Sequence, residues 1–595
     1  MDSIKQGKVC QNCKKEFLIE DDDFLFYKQM KVPTPTFCYL CRAQRRMAWR
    51  NESSLFKDKS DYSGKDIFSA FCPEAQIKVY EKDVWNSDVW DPMEYGKDYD
   101  FSRLFFDQFK ELLYIVPLKN LNVVNAVNSD YSNNFTDPKN CYLCFNGKGG
   151  EDCMYCNGVT HLKDCIDTSN CGKSEKCYES FWLTSCSNVI FSSRCESSFN
   201  LMFCSDCSSC HDCFGCIDLK SKEYCIFNQQ YNKEEYKKKI EEFNISSYEN
   251  LQKERNKVKE FWSKYPKRFM EGYHNTEVSG NYINFSKNVK NSFLIREGEN
   301  LKYCQNVQEL PGCKDCYDYT AWGDSVNFAY ECCACGIGAN NIKFCYNVQE
   351  SVHDIEYSYM CSGSSDLFGC VGLRKKQYCV FNKQYTREEY EMLVGKIKNH
   401  MDEMTYVDKK GIIYKYGEFF PTEFSPFAYN ETLAIEYFPL TKEESEKDGF
   451  LWREPKDKNY TATIKAKDLT DNIKDITDSI LSEIIECEHN GNCNDQCVKC
   501  FKITTEELSF YRKMSLPLPR LCFKCRKNQR LSERTKLEVV KRKCNCGGSI
   551  SDNGTYTNSV NHLHGPEHCP NEFFTNYKNN DEILYCEKCY QQEII

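Results

Sequence analysis

The sequence has no run of about eighteen apolar residues, which leaves no candidate transmembrane helix. Its opening, MDSIKQGKVC, lacks the apolar core of a secretory signal. No GxSxG or HExxH pattern offers a catalytic constellation, and no doubly wound α/β pattern or nucleotide loop is present. A general excess of positive charge is missing too: the formal net charge is −10, so the chain as a whole is not a polyanion binder. These absences point to a cytoplasmic protein (host cytoplasm or virion, were its source viral) with no membrane partner and no identifiable catalytic residue.

Cysteine is what the chain has in abundance, 41 in 595 residues, alongside 41% apolar and 14% aromatic residues that can bury several cores. Without a leader, such usage reads as reduced thiols, some of them holding metal, rather than as a disulfide framework. CQNC places Cys10 and Cys13 ahead of CYLC at Cys38 and Cys41, and CVKC places Cys497 and Cys500 ahead of CFKC at Cys522 and Cys525. FYKQMKVPTPTFC (26–38) lies over FYRKMSLPLPRLC (510–522) without a gap, so one module occurs near both ends. Two thiolate pairs of this kind build a closed tetrahedral zinc site, with Zn–S bonds of ~2.3 Å and no open position for chemistry. Knuckle, hairpin, knuckle and helix in that order suggest a treble-clef or zinc-ribbon finger.

A third set follows: Cys544, Cys546, Cys569, Cys586 and Cys589 offer five thiols for four positions. About three structural zinc sites are therefore expected. Cys487, Cys493 and His489 stand close enough in sequence to exchange into a neighbouring site, and His562, His564 and His568 read as polar loop in preference to ligands.

The basic charge sits in these modules: residues 497–545 hold fourteen Lys and Arg against four Glu. Arg42, Arg45, Arg46 and Arg50 fall on one helix stripe, and Arg526, Lys527, Arg530 and Arg534 follow the second module. They are candidate phosphate contacts, with Trp49 and Tyr511 as candidate stacking platforms. The plain alternatives are a solvated helix face and module core.

Between the ends, cysteines fall on a nine-residue grid, as in Cys177, Cys186, Cys195, Cys204 and Cys213, and again in Cys361, Cys370 and Cys379. Helical periods do not give nine, whereas a β-solenoid does; two nine-residue segments predict an eighteen-residue coil with cysteines as an inward ladder. The run Cys204, Cys207, Cys210, Cys213, Cys216 with His211 is the one stretch where a metal store competes with that ladder. FGCIDLKSKEYCIFNQQYNKEEY (214–236) matches FGCVGLRKKQYCVFNKQYTREEY (368–390), so the unit is duplicated, each copy leading into a helix that is either an excursion from the stack or a cap on its open edge.

The expected organisation is multidomain and mainly β: treble-clef or zinc-ribbon modules at both ends flanking a duplicated cysteine-rich β-solenoid with helical insertions. Its parts are a zinc module (1–55), an aromatic-rich packing segment (56–118), a first solenoid half (119–231), a helical insertion (232–272) and a second half (273–385). After them come a helix, hairpin and irregular segment (386–480, with a further helix expected near 469–487), a second zinc module (481–543) and a C-terminal zinc module (544–595).

The module pattern CxxC…FYxxMxxPxPxxCxxCRxxxR, the duplicated FGCxxLxxKxYCxFNxQYxxEEY, SPFxYNETxAxEYFPLT and CPNEFxTxY…YCEKCY together resemble the large multi-zinc-ribbon, cysteine-rich repeat proteins of candidate-phyla bacteria and giant viruses. The resemblance covers nearly the whole chain and implies architecture, not activity.

Three functions fit these features. The first is a non-catalytic zinc-binding scaffold that docks proteins. The second is a zinc-dependent nucleic-acid binder using the basic modules. The third is a β-helix enzyme with paired carboxylates, for which Asp164 with Asp167 and Asp315 with Asp318 are the candidates, although aspartate is also an ordinary turn residue.

Overall fold

The computed structural model describes residues 6–454, 460–493, 496–534, 536–578 and 581–594. Two long sheets dominate it. Eleven strands from Val123–Val124 to Gln229–Gln230 make the first, and twelve from Gly272–Tyr273 to Lys383–Gln384 make the second, nearly all in chain order. Neighbours run parallel until the last strand of each sheet, which turns back antiparallel.

The register in the first sheet is twelve residues. Asn157 pairs with Ser169, Ser187 with Phe199 and His211 with Glu223, each partner twelve positions on, the separation also seen from Asn140 to Asp152. Isolated bridges repeat this step on other ladders, Val127–Lys139–Glu151–Lys163 and Tyr142–Met154–Ile166 among them. The eighteen-residue coil expected from the cysteine grid is therefore not the repeat.

Its physical origin is a triplet. Asp137, Asn140, Leu143 and Asn146 all sit in the left-handed region, at φ of 53°, 51°, 50° and 54°. Among residues other than glycine, Asn and Asp adopt that region most readily, which explains their density here. The residue after such a corner turns inward: Cys141, Cys144, Cys153, Cys156 and Cys165 are all buried. Three triplets give the nine-residue grid, and the hydrogen-bond ladder closes after four.

The interior is narrow, so small residues fill it. Cys156 Sγ donates to the Met154 carbonyl at 3.3 Å or the Cys165 carbonyl at 3.4 Å. Ser174 plays the same part, donating to Gly172 O at 2.8 Å and accepting from Cys186 N at 3.0 Å. In the run Cys204 to Cys216 the thiols point inward while His211 lies outside, stacked on Phe199 and bonded to Asp212 and Glu223. The second sheet departs locally from twelve, pairing Glu299 with Lys314 and Asn340 with His353 before returning to twelve at His353 with Ser365. The wider steps enclose Tyr319, a large ring fully buried among thiols and aliphatics.

Each sheet runs into a helix. Asn232 caps Lys233–Phe243 by accepting from Glu235 N at 2.9 Å, and Thr386 with Glu389 forms a capping box on Arg387–Glu403. Tyr236 packs on Phe214 and Ile226, and Tyr390 joins Val380 and Phe381, so both helices cover the end of their sheets.

The aromatic-rich segment packs as expected: helix Phe105–Ile115 buries Phe105, Phe106, Phe109, Leu112 and Leu113. Phe105 meets Tyr357 edge-on at 5.3 Å, and Phe109 stacks on Phe420 at 4.6 Å. The hairpin Tyr406–Val407 with Ile413–Tyr414 is present. The helix expected near 469–487 is not; short 3-10 turns at Ala466–Asp468, Ile473–Asp475 and Asp478–Ser482 replace it, held by local caps such as Asn472. Among the described residues, no helix is long and apolar enough to cross a membrane.

Candidate metal centres

The first module is a hairpin followed by a helix. Strand Gln6–Val9 pairs with Glu16–Ile19, Cys10 N donates to Lys15 O at 2.9 Å, and Gln11 N reaches across to Thr36 O at 3.0 Å. Cys38 caps helix Tyr39–Met47, which puts Cys41 in its first turn. The sulfurs of Cys10, Cys13, Cys38 and Cys41 all lie within 4.8 Å of one another. Crowded thiols in that space compete for charge: hydrogen bonding to Cys38 drives Cys10 far down, while the contact with Cys10 pushes Cys38 up to about 12. A divalent cation at the centre removes this conflict, and four thiolates could hold zinc.

In the second module the same hairpin recurs with a different first ligand. Strand Ile485–Glu486 pairs with Cys500–Phe501, Cys487 N donates to Lys499 O at 2.7 Å, and Glu488 N reaches Arg520 O at 2.9 Å. Cys487 thus occupies the place of Cys10. The grouped ligands are Cys487, Cys497, Cys522 and Cys525. Cys500, expected to pair with Cys497, lies in the returning strand at the position of Glu16, with its sulfur 3.8 Å from Tyr460 O. The apparent CVKC knuckle is a coincidence of spacing: the real knuckle loop runs from Cys487 to Cys497. That enlarged loop also carries His489 and Cys493, which form a further group with Cys525.

The C-terminal module repeats the scheme. Strand Val540–Lys543 pairs with Glu572–Thr575, Cys544 N donates to Asn571 O at 3.0 Å, and Asn545 N reaches Leu584 O at 2.8 Å. Cys544, Cys569, Cys586 and Cys589 form a buried tetrad. The fifth thiol, Cys546, faces His562 and His564 instead, two residues read from the sequence as polar loop. His568 bonds to Asp552 and lies apart. Of the five groups, four have four ligands each, so about four metal ions could be held, not three.

Sequence reasoning missed a fourth copy of the hairpin, inside the aromatic segment. Strand Phe56–Lys59 pairs with Asp66–Ser69, Ser60 N donates to Lys65 O at 2.9 Å, and Asp61 N reaches Val79 O at 2.9 Å. Glu81 then caps helix Lys82–Trp85, as Cys38 caps its own. Ser60, Ser63, Glu81 and Val84 stand where the ligands would be, and Ser60 Oγ bonds directly to Glu81. The signal was there in KDKSDYSGKDIF against KVCQNCKKEF, but without thiols it carried no chemistry to notice.

The basic helices do not face solvent. Arg42 and Arg46 clamp Asp318 of the second sheet at 2.8 and 3.2 Å, while Arg45 bridges Glu331 at 2.6 Å and Glu418 at 2.9 Å. Arg526 and Arg530 clamp Asp167 of the first sheet at 2.7 and 3.0 Å. Even the supporting bonds match: Arg42 donates to Phe37 O at 2.6 Å and Arg526 to Leu521 O at 2.8 Å. Arg50 pairs with Glu52, and Lys527 and Arg534 share Glu436 with 14% and 10% of their side chains exposed. Burial pushes the Asp167 carboxyl up, and the two arginines pull it back. None of the eight candidate phosphate contacts forms an open basic stripe. Trp49 and Tyr511 are fully buried, so neither is a stacking platform.

The same contacts consume one member of each carboxylate pair. Asp167 and Asp318 are fully buried anchors, while Asp315 lies in a corner ladder, accepting from Asn300 at 2.9 Å, and Asp164 occupies another left-handed corner. Neither pair converges on a shared site. Carboxylates that do converge, Asp206, Asp218 and Glu271, line a cavity of about 220 Å³, where Arg194 pairs with Asp206 and Tyr590 donates to Asp218. A second cleft, of about 660 Å³, holds Lys119 against Trp85, and burial there pushes the Lys119 ammonium down to about 8.

No family model and no curated protein matches the chain. Among solved structures, one crystal structure described as a candidate acetyltransferase from Desulfovibrio desulfuricans G20 aligns at 8% identity over 50% of this chain and 87% of its own, with a TM-score of 0.10, too low to carry any argument about fold or activity.

Proposed function

We propose that this protein is a non-catalytic scaffold for protein interaction, a duplicated β-solenoid stapled by zinc-ribbon modules. The observation that carries this reading is the orientation of the module helices: their arginines are spent in buried ion pairs with Asp167 and Asp318. A module built to read phosphates would leave such side chains in solvent. Here the metal orders the helix, the helix orders the arginines, and the arginines fix the module to the solenoid. The repeated twelve-residue register, with one inward residue per triplet, supports a solenoid of four-sided coils that presents long, regular outer faces to a partner. Closed four-cysteine sites leave no coordination position for catalysis.

The test is a titration of zinc-loaded, full-length protein with single-stranded DNA and RNA at about 50 mM salt, where phosphate contacts are strongest. No binding is expected, and the outcome should not change when Arg42 or Arg526 is replaced. Salt-sensitive binding that weakens with those substitutions would replace this reading with the nucleic-acid one.

A further inference from the structure

We propose that the C-terminal module holds two zinc-type divalent cations sharing the Cys589 thiolate: one in the tetrad Cys544, Cys569, Cys586 and Cys589, and a second bound by Cys546, His562, His564 and Cys589. This goes beyond the scaffold reading and rests on it only in taking the thiol groups to be metal sites.

The argument is one of hydrogen-bond capacity. Cys546 Sγ lies 3.2 Å from His562 Nδ1 and 3.3 Å from His564 Nε2. Each ring is committed at its other nitrogen: His562 Nε2 faces the Glu593 carboxylate at 3.1 Å, and His564 Nδ1 faces the Glu567 carbonyl at 2.9 Å. Both far partners are acceptors, so both far nitrogens carry the proton. The near nitrogens therefore aim two lone pairs at one sulfur, which has a single proton to offer. Asn558 Nδ2 donates to that sulfur at 3.3 Å, an arrangement that suits a thiolate. With both rings neutral, two imidazole lone pairs and a thiolate converge on one point, a donor set that one zinc-type cation matches.

The outer contacts are those of a built site. The His562 and Glu593 side chains are both fully buried. Glu593 is itself held by Ser559 N at 2.6 Å and Tyr556 OH at 2.8 Å. It lies one helical turn after Cys589 on the helix Glu587–Ile594, so the helix that supplies the shared thiolate also supplies the carboxylate that orients the histidine. The second module shows the same logic in outline: its enlarged knuckle loop brings His489 and Cys493 to Cys525, the counterpart of Cys589. Both loops add ligands beside the last cysteine of a complete tetrad.

Metal-to-protein ratio, measured by mass spectrometry on full-length protein after zinc loading and desalting, is the direct test. The double variant His562→Ala, His564→Ala should carry one zinc fewer than wild type, and Cys546→Ser the same. Glu593→Gln should keep the tetrad's metal and weaken the second by roughly 10–100-fold, the usual cost of losing such a carboxylate. Should the double alanine variant fail to fold, His564→Asn gives the same reading from a half-buried position. Cobalt loading reports the sharing: paramagnetic resonance intensity should fall below the sum of isolated ions as the last equivalents enter wild type, and not in the histidine variant. Unchanged zinc content in all variants, or strictly additive cobalt signals, would overturn the proposal. Wild type loading no zinc at all would overturn the metal-site reading beneath it as well.

Discussion

Cys487 and Cys500 separate geometry from motif at the level of single residues. Cys487 follows its strand as Cys10 does and lies in the ligand group, whereas Cys500 points toward Tyr460 from the returning strand. Cys487→Ser should lower zinc content by one equivalent and destabilise the module, since a structural zinc contributes on the order of 10 kcal/mol to small domains. Cys500→Ser should leave both unchanged; elemental analysis with thermal melts decides, and equal losses would refute the assignment. Lys119 gives a pH-dependent expectation. Burial lowers it from 10.5 to about 8 in the folded chain, so between those values the unfolded state binds more protons and stability rises with pH. At neutral pH the buried ammonium is a cost that Glu350 only partly offsets. Lys119→Met should raise the melting temperature at pH 7, and the gap from wild type should narrow toward pH 10. A gap independent of pH would mean that packing, not charge, sets the difference.

The arginine clamps are where helix and sheet meet, and they set the cost of separating these elements. Removing one member of a buried pair leaves an uncompensated charge and typically costs 3–5 kcal/mol. Asp318→Asn leaves Arg42 and Arg46 only Glu331, at 3.9 and 3.3 Å, and should loosen the module at 6–50, while Asp167→Asn takes the shared carboxylate from Arg526 and Arg530, leaving Arg526 only a 4.0 Å contact with Glu507, and should loosen the module at 485–531. Hydrogen exchange would show each loss of protection at the distant end of the sequence from the substitution, and protection lost near the substituted corner alone would contradict the docking. These elements differ in how far they could be read beforehand. The cysteine pairs, the matched FYxxM segments and the capped helices were legible because each is local. The nine-residue grid pointed correctly to inward stacking but not to the repeat, because nine is three triplets and the ladder closes on the fourth side. Inward positions between the cysteines are often Ser, Val or Leu, as at Ser174, Val189 and Leu201, which stack in line with cysteines and are invisible to a count of them. The arginine stripe misled for a similar reason: a one-dimensional pattern shows that charges share a face, not which carboxylate waits on the other side.

Across the whole molecule the modules and sheets are crossed. The N-terminal module docks on the second sheet and the module at 485–531 on the first, through corresponding arginine–aspartate contacts. Lys527 and Arg534 add a bridge to Glu436, and the C-terminal module ties back through strand Leu584–Tyr585 beside Lys267–Arg268 and through Tyr590 on Asp218. The connection between residues 454 and 460 is therefore spanned by contacts that other parts of the chain make, and the fold should survive a cut in it. A protease site placed between residues 454 and 460 would yield two fragments joined by these docked surfaces and by the apolar core that Ile166 and Tyr178 share with Ile473, Ile476 and Tyr511. With zinc bound, they should elute together in gel filtration. Asp167→Asn should weaken their association by about two to four orders of magnitude, if the 3–5 kcal/mol of a broken buried pair is felt in full at the interface. Asp318→Asn should leave it unchanged, because Asp318 and the N-terminal module lie on the same fragment. Stripping zinc should separate the pieces, since the arginine helices begin at metal-ligand cysteines. Fragments that part with zinc bound and Asp167 intact would show that the crossed contacts do not hold the molecule together, and the scaffold would have to be sought in the sheets alone.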